Sequence, residues 1–233
     1  MTFDELKAAF DTPDLLMRRC YIHIVGGVLK APLTPNAPSP PANGQAEIAT
    51  FKIELKDTSV TGFTTGVSGL LGKRKSRVFV RFTKQAGVAK ATPNDDEINA
   101  WYVPMVQTDD VAAKSSHYVL PTTGEPTIML TGKLSGCRFG IGSDATGSLL
   151  VSHVRPDLRL PKANRQADLT TRLKDGFSTW KGSFGLDDGY KVFGAVIGKR
   201  NGARWRFYCQ ASTMENQEYS INSTTVITHK SVT

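Results

Sequence analysis

The chain has 233 residues and a formal charge of +8, from 29 Lys and Arg against 21 Asp and Glu. With 39% hydrophobic and 9% aromatic residues, it carries enough apolar mass for one cored domain over residues 1–233, and this composition excludes a low-hydrophobicity disordered chain. No apolar run reaches the roughly 20 residues that cross a bilayer, so no membrane span is expected.

In "MTFDELKAAF", Phe3, Leu6, Ala9 and Phe10 fall at helical spacing, predicting a helix over 2–10. Its early acids and the lack of a basic-then-apolar layout argue against a secretory signal, so the protein is expected to be cytosolic or exported without a cleavable mark. Asp14–Met17 forms a second helical turn or leads into a strand at Cys20–Val25. "APLTPNAPSPPANG" (31–44) holds five prolines and predicts an irregular loop inserted in the domain.

Short β-rich runs follow at 46–55, 77–84, 100–106, 127–136, 147–154, 190–198, 203–211 and 219–228, separated by Gly, Asn, Asp and Pro. "GKRNGA" predicts a hairpin, with Asn201-Gly202 supplying positive φ angles. "ADLTTRLKDGFSTW" (167–180) predicts a helix ending near Gly176. The fold expected from this order is α/β: packed sheets with a few peripheral helices.

Basic residues cluster at Lys73-Arg74-Lys75-Ser76-Arg77 and at Lys199, Arg200, Arg204 and Arg206. They suit either a solvated surface or contact with an acidic partner. No nucleic-acid module accompanies them, and nucleic acid is not the expected partner. "GVSGLLGKRKS" fails as a phosphate loop because Val67 and Arg74 stand where Gly and Ser/Thr are required. "GIGSDA" (140–145) fits a dinucleotide fingerprint, but the sequence after it reads as a turn and a strand instead of a helix. His23, His117, His153 and His229 have no metal-ligand spacing, and neither metal nor cofactor is expected. Cys20, Cys137 and Cys209 lie too far apart for a disulfide framework and are expected as reduced thiols.

"TGKLSGCRFGIGSDATGSLLVSH" (131–153) carries the one candidate constellation. If 127–137 and 147–154 are antiparallel strands joined by the glycine-rich bend, a turn centred on Ala145 sets Cys137 opposite His153, with Cβ atoms about 5 Å apart. An imidazole there accepts the thiol proton and later protonates a leaving amine. The small Ser135-Gly136 leaves the backbone open, so that the Cys137 N–H becomes a candidate oxyanion donor. Spacing alone also suits an ordinary core cysteine, and Cys209 in "RFYCQ" reads as one.

The segment "TGKLSGC" followed by a hairpin and a histidine resembles the active-site segment of bacterial glutamine deamidases of the Burkholderia lethal factor, cytotoxic necrotizing factor and chemotaxis deamidase type. The resemblance is greatest to the lethal factor type, in length, in the N-terminal helix and strand, and in the late hairpin "GAVIGKRNGARWRFYCQ". It implies a sandwich of two mixed β-sheets flanked by helices and loops. It implies catalysis by Cys137 as nucleophile, His153 as base and then acid, and Thr131 as the residue that orients His153 through its hydroxyl or its carbonyl. The substrate class implied is a host protein presenting an accessible glutamine, attacked by a monomeric toxin or effector made in a bacterium and acting in the host cytoplasm. Other readings of the same residues are a cysteine protease or transglutaminase, with Asp157 or Asn164 as third residue, and a non-catalytic basic module binding RNA or protein.

Overall fold

The computed structural model describes residues 1–26, 28–30, 43–61, 75–107, 117–186, 193–215 and 218–229. The proline-rich loop at 31–44 falls almost entirely outside them, as do Lys73, Arg74 and the rejected phosphate loop. The described chain is mostly β, in two sheets, with three short α-helices. No helix among the described residues is long and apolar enough to cross a membrane.

The N-terminal helix α1 (Phe3–Ala9) starts on a capping box: Thr2 Oγ1 accepts from Glu5 N at 3.1 Å, and the Glu5 carboxylate accepts from Thr2 N at 2.7 Å. Pro13 opens α2 (Pro13–Arg19), where its fixed φ and missing N–H cost nothing. Leu6, Phe10, Leu16 and Met17 are fully buried. Cys20 then enters β1 (Cys20–Val25) directly. The buried Gln210 carboxamide stitches this junction: its Oε1 accepts from Ile22 N at 3.0 Å, and its Nε2 donates to the carbonyls of Met17 and Cys20.

The remaining strands, in chain order, are β2 (Val28–Lys30), β3 (Asn43–Gln45), β4 (Glu47–Thr61), β5 (Lys75–Lys84), β6 (Glu97–Val103), β7 (Met105–Gln107), β8 (His117–Val119) and β9 (Ile128–Thr131). They continue with β10 (Arg138–Ser143), β11 (Leu149–Val154), β12 (Thr179–Phe184), β13 (Phe193–Asn201), β14 (Arg204–Glu215) and β15 (Glu218–His229), with α3 (Arg165–Asp175) between β11 and β12. The larger sheet runs β1-β5-β4-β15-β14-β13-β9-β6. It nearly closes into a barrel, because residues 47–52 of β4 pair with β6 while Val60 and Thr61 pair with β15. The smaller sheet runs β12-β10-β11-β7-β2, with β8 and β3 joined to the side of β11. Both sheets mix parallel and antiparallel pairs.

Alternation along the strands separates three apolar layers. Phe139, Ile141, Leu149 and Val151 of the smaller sheet meet Met129, Val196, Trp205 and Phe207 of the larger one. The other face of the larger sheet receives α1 and α2. Leu150 and Val154 turn the other way, onto Leu169 and Leu173 of α3. Each fully buried Phe or Leu in these layers contributes about 1.5–3 kcal/mol by leaving water.

Two expectations need correction. The partner of β11 is β10, which consists of the supposed glycine bend, whereas β9 belongs to the other sheet. The glycines serve packing: a Cβ on Gly142 would lie 2.3 Å from Phe177 Cδ1, and one on Gly140 would lie 3.0 Å from Leu173 Cδ2. The helix expected to end near Gly176 does so: α3 stops at Asp175 with Gly176 as its cap, and Thr179 and Trp180 of the same stretch open β12. In the β13–β14 hairpin Asn201 is paired with Arg204, and the positive φ belongs to Gly202, at 59°.

Candidate active site

The stretch Gly132–Gly136 carries the chain from the larger sheet to the smaller one. Lys133 N donates to Ile24 O at 2.9 Å, and Leu134 exchanges two backbone hydrogen bonds with Gly194, each 2.9 Å. The Leu134 side chain is fully buried and pins the crossing between the sheets. Gly136 has φ +80°, a conformation that disfavours side chains, and it turns the backbone into β10. Cys137 follows at once, facing the layer between the sheets with Phe139. "LSGC" thus places an anchor, an exposed turn residue, a left-handed hinge and an inward thiol in succession.

His153 lies on β11 and shares the inner face with Leu149 and Val151. Its direct cross-strand partner is Phe139, so Cys137 is not opposite it as the sequence suggested. The cause is the turn. Asp144 Oδ1 accepts from Thr146 N and Ser148 N, each at 2.9 Å, and Gly147 takes φ +87°. These contacts centre the hairpin one residue later than Ala145. Cys137 becomes the diagonal neighbour of His153 on the same face, at a separation of about 7–8 Å instead of about 5 Å.

Thr131 comes from β9, in the other sheet, and reaches His153 across the interface. Its Oγ1 lies 2.7 Å from Val103 O and 2.7 Å from His153 Nδ1. The carbonyl can only accept, so the single hydroxyl proton goes to Val103 O, and Oγ1 accepts the Nδ1–H of His153. The link is made by the hydroxyl, not by the Thr131 carbonyl. This arrangement fixes the imidazole as the Nδ1–H tautomer and turns its Nε2 lone pair into the interior, where it has no partner.

The thiol has a different neighbour. Cys137 Sγ approaches Met105 Sδ at 3.3 Å, and Met105 is the parallel cross-strand partner of His153. A flexible thioether therefore lies beside both reactive groups. Ser135 O is 3.9 Å from the thiol. All three site residues are buried: Cys137 is 2% exposed, and Thr131 and His153 are 0%. Burial pushes the thiol up to about 11, partly opposed by the positive Arg155. Burial also lowers His153 to about 3. At neutral pH both groups are uncharged, in contrast to the open, activated pair anticipated from the sequence.

Ser135 is exposed and Gly136 half-buried, just before Cys137. Gly136 O accepts from Gln166 Nε2 at 3.1 Å. Asp157 does not serve His153: its carboxylate is held by Arg159, at 2.8 Å from Nη2 and 3.0 Å from Nε. Asn164 is exposed in the turn before α3. Met105 and Gln166 are the site neighbours the sequence did not disclose. Both arrive through long-range pairing, and Pro104 disguises Met105 as part of the preceding strand run.

The second basic cluster is partly internal. Arg200 is buried, and its guanidinium donates to the carbonyls of Thr122, Gly124 and Gly202. Lys199 pairs with Asp11 at 3.0 Å, whereas Arg204 and Arg206 are exposed. All three cysteines are buried thiols with no disulfide. Among the described residues no three His, Cys, Asp or Glu side chains converge as a metal site. Comparison with protein-family models and with curated proteins finds no match.

Proposed function

We propose that this chain is a cysteine-dependent amidohydrolase that converts a protein glutamine side chain to glutamate. The observation that carries the reading is the buried, unpartnered Nε2 of His153, held as a base by Thr131 on the inner face that also carries Cys137. The resemblance of "TGKLSGC" to the glutamine deamidases supports the choice of a carboxamide as substrate, a deamidase-like fold, and a bacterial effector acting on a host protein.

The incoming carboxamide displaces the Met105 thioether and brings its own dipole alongside sulfur and imidazole, which then face each other directly. Nε2 takes the thiol proton, and Sγ attacks the amide carbon. The C–S bond forms as the carbonyl electron pair moves to oxygen. The tetrahedral oxyanion collapses, the C–N bond breaks, and ammonia leaves with the proton from His153. Water, deprotonated by the same Nε2, then cleaves the thioester. Glutamate and the free thiol result, and no cofactor enters the balance.

Wild-type and Cys137→Ser proteins incubated with host-cell lysate test the reading. Peptide mass spectrometry should find glutamine-to-glutamate conversion in intact substrate with wild type alone. Conversion equal in both samples, or none in either, refutes it, and chain cleavage assigns the site to a protease. A second reading rests on the full burial of the trio: the Thr131–His153 hydrogen bond is then a structural tie between the sheets. In that case Cys137→Ser changes nothing that the mass spectra report.

A further inference from the structure

Gln166 stands in the first turn of α3, the helix packed on the outer face of the smaller sheet. Its carboxamide has one consistent orientation. The Arg138 guanidinium can only donate, so Oε1 faces Arg138 Nη2, 3.5 Å away. Nε2 is thereby directed at Gly136 O, 3.1 Å away. Arg138 is itself fixed: its Nη1 donates to Ser183 Oγ at 2.8 Å, and it lies so close to Gly185 that a Cβ there would approach Cζ to 2.8 Å.

The carbonyl that Gln166 holds belongs to the peptide whose N–H is that of Cys137. A trans peptide is planar, and its C=O and N–H point in opposite directions. Gly136, at φ +80°, has no side chain to set the rotation of this peptide. The restraint comes from outside the turn, from helix α3.

We propose that Gln166 is a positioning residue: by anchoring Gly136 O, it aims the Cys137 N–H at the oxyanion that forms when the thiolate adds to a carboxamide. The inference rests on the amidohydrolase reading. The hydrogen bond from Gln166 also polarises the peptide and strengthens its N–H as a donor. The effect falls on tetrahedral addition and leaves the thiol itself untouched.

Two reactions of the same sulfur separate these roles. Deamidation passes through an oxyanion, whereas alkylation by iodoacetamide displaces iodide at a saturated carbon and forms none. Gln166→Glu keeps the size of the side chain and its contact with Arg138, but sets a carboxylate against the carbonyl. Its kcat for glutamine conversion should fall about a hundredfold, as for the loss of one oxyanion donor, with KM and the Cys137 alkylation rate unchanged. Gln166→Ala, which removes the donor without adding charge, should show the same split. Unchanged kcat in both variants overturns the proposal. Parallel loss of deamidation and alkylation also overturns it, because Gln166 then acts on the thiol or on the fold. Wild type run beside Cys137→Ser in the same assay reports the parent reading separately: no Cys137-dependent conversion removes both.

Discussion

Lowering the pH tests whether His153 is a neutral buried base. Its folded pKa is about 3, against the ordinary 6.5, because full burial penalises the charged form of the ring. Below pH 6.5 the unfolded chain binds a proton that the folded chain refuses. The contribution is complete above 6.5 and is lost progressively as pH falls toward 3. Between pH 8 and pH 5 this one ring removes about 2 kcal/mol of stability. At an m-value of about 2 kcal/mol/M, the urea midpoint falls by about 1 M. His23, lowered to about 4 by burial and by Lys133 and Arg81, titrates over the same range, so the total shift is not diagnostic. The difference between wild type and His153→Gln is diagnostic, because the other groups cancel. The variant should lose about 1 M less between the two pH values. Equal losses refute the reasoning. If the variant is too weak to titrate, NMR of the His153 ring in the wild type decides, and a midpoint near 6.5 is the refuting result.

Thr131→Val keeps the branched shape but deprives Val103 O and His153 Nδ1–H of their shared partner. It should cost about 2–4 kcal/mol in urea unfolding and shift the imidazole tautomer seen by nitrogen NMR, with Thr131→Ser restoring both. Met105→Ala should expose the thiol and relax its pKa from about 11 toward 9. The thiolate fraction then rises about a hundredfold, lower intrinsic nucleophilicity takes back most of a factor of ten, and iodoacetamide labelling of Cys137 should quicken about tenfold. Cys20 and Cys209, buried in other parts of the layers, should be unaffected.

Local chemistry made some of this fold legible. Helical spacing in 2–10 and the direct entry into a strand at Cys20 are set by neighbours in sequence, and both stand in the structure. The β13–β14 hairpin follows from Gly202 in its turn and from alternation, with the turn one residue later than the expected Asn-Gly pair. Strand β10 is hidden because its two glycines read as a bend, whereas they admit Leu173 of α3 and Phe177 just beyond its end. The need for them is created by a helix more than twenty residues later, which no window around Gly140 contains. Thr131, Cys137 and His153 were legible as a motif, and the structure brings Thr131 onto His153 from the opposite sheet. Their burial, the Met105 thioether and the Gln166 carboxamide all depend on which strands and helices pack together, so no residue-by-residue reading contains them.

Burial and catalysis pull against each other at this site. A buried thiol near pKa 11 and a buried imidazole near 3 do not exchange a proton at rest. The same burial shields the pair from competitors that an exposed one meets, oxidants on sulfur and nonspecific acceptors among them. In the proposed reaction, a carboxamide entering where Met105 lies would supply a carbonyl dipole and N–H donors, which lower the cost of charge separation when the pair is needed. A structural tie has no use for a lone pair left bare on Nε2, because capping it with a hydroxyl or a backbone N–H would relieve about 1–3 kcal/mol of desolvation. On the proposed reading, the donor that this nitrogen lacks is the Cys137 thiol, brought to it once the thioether moves aside.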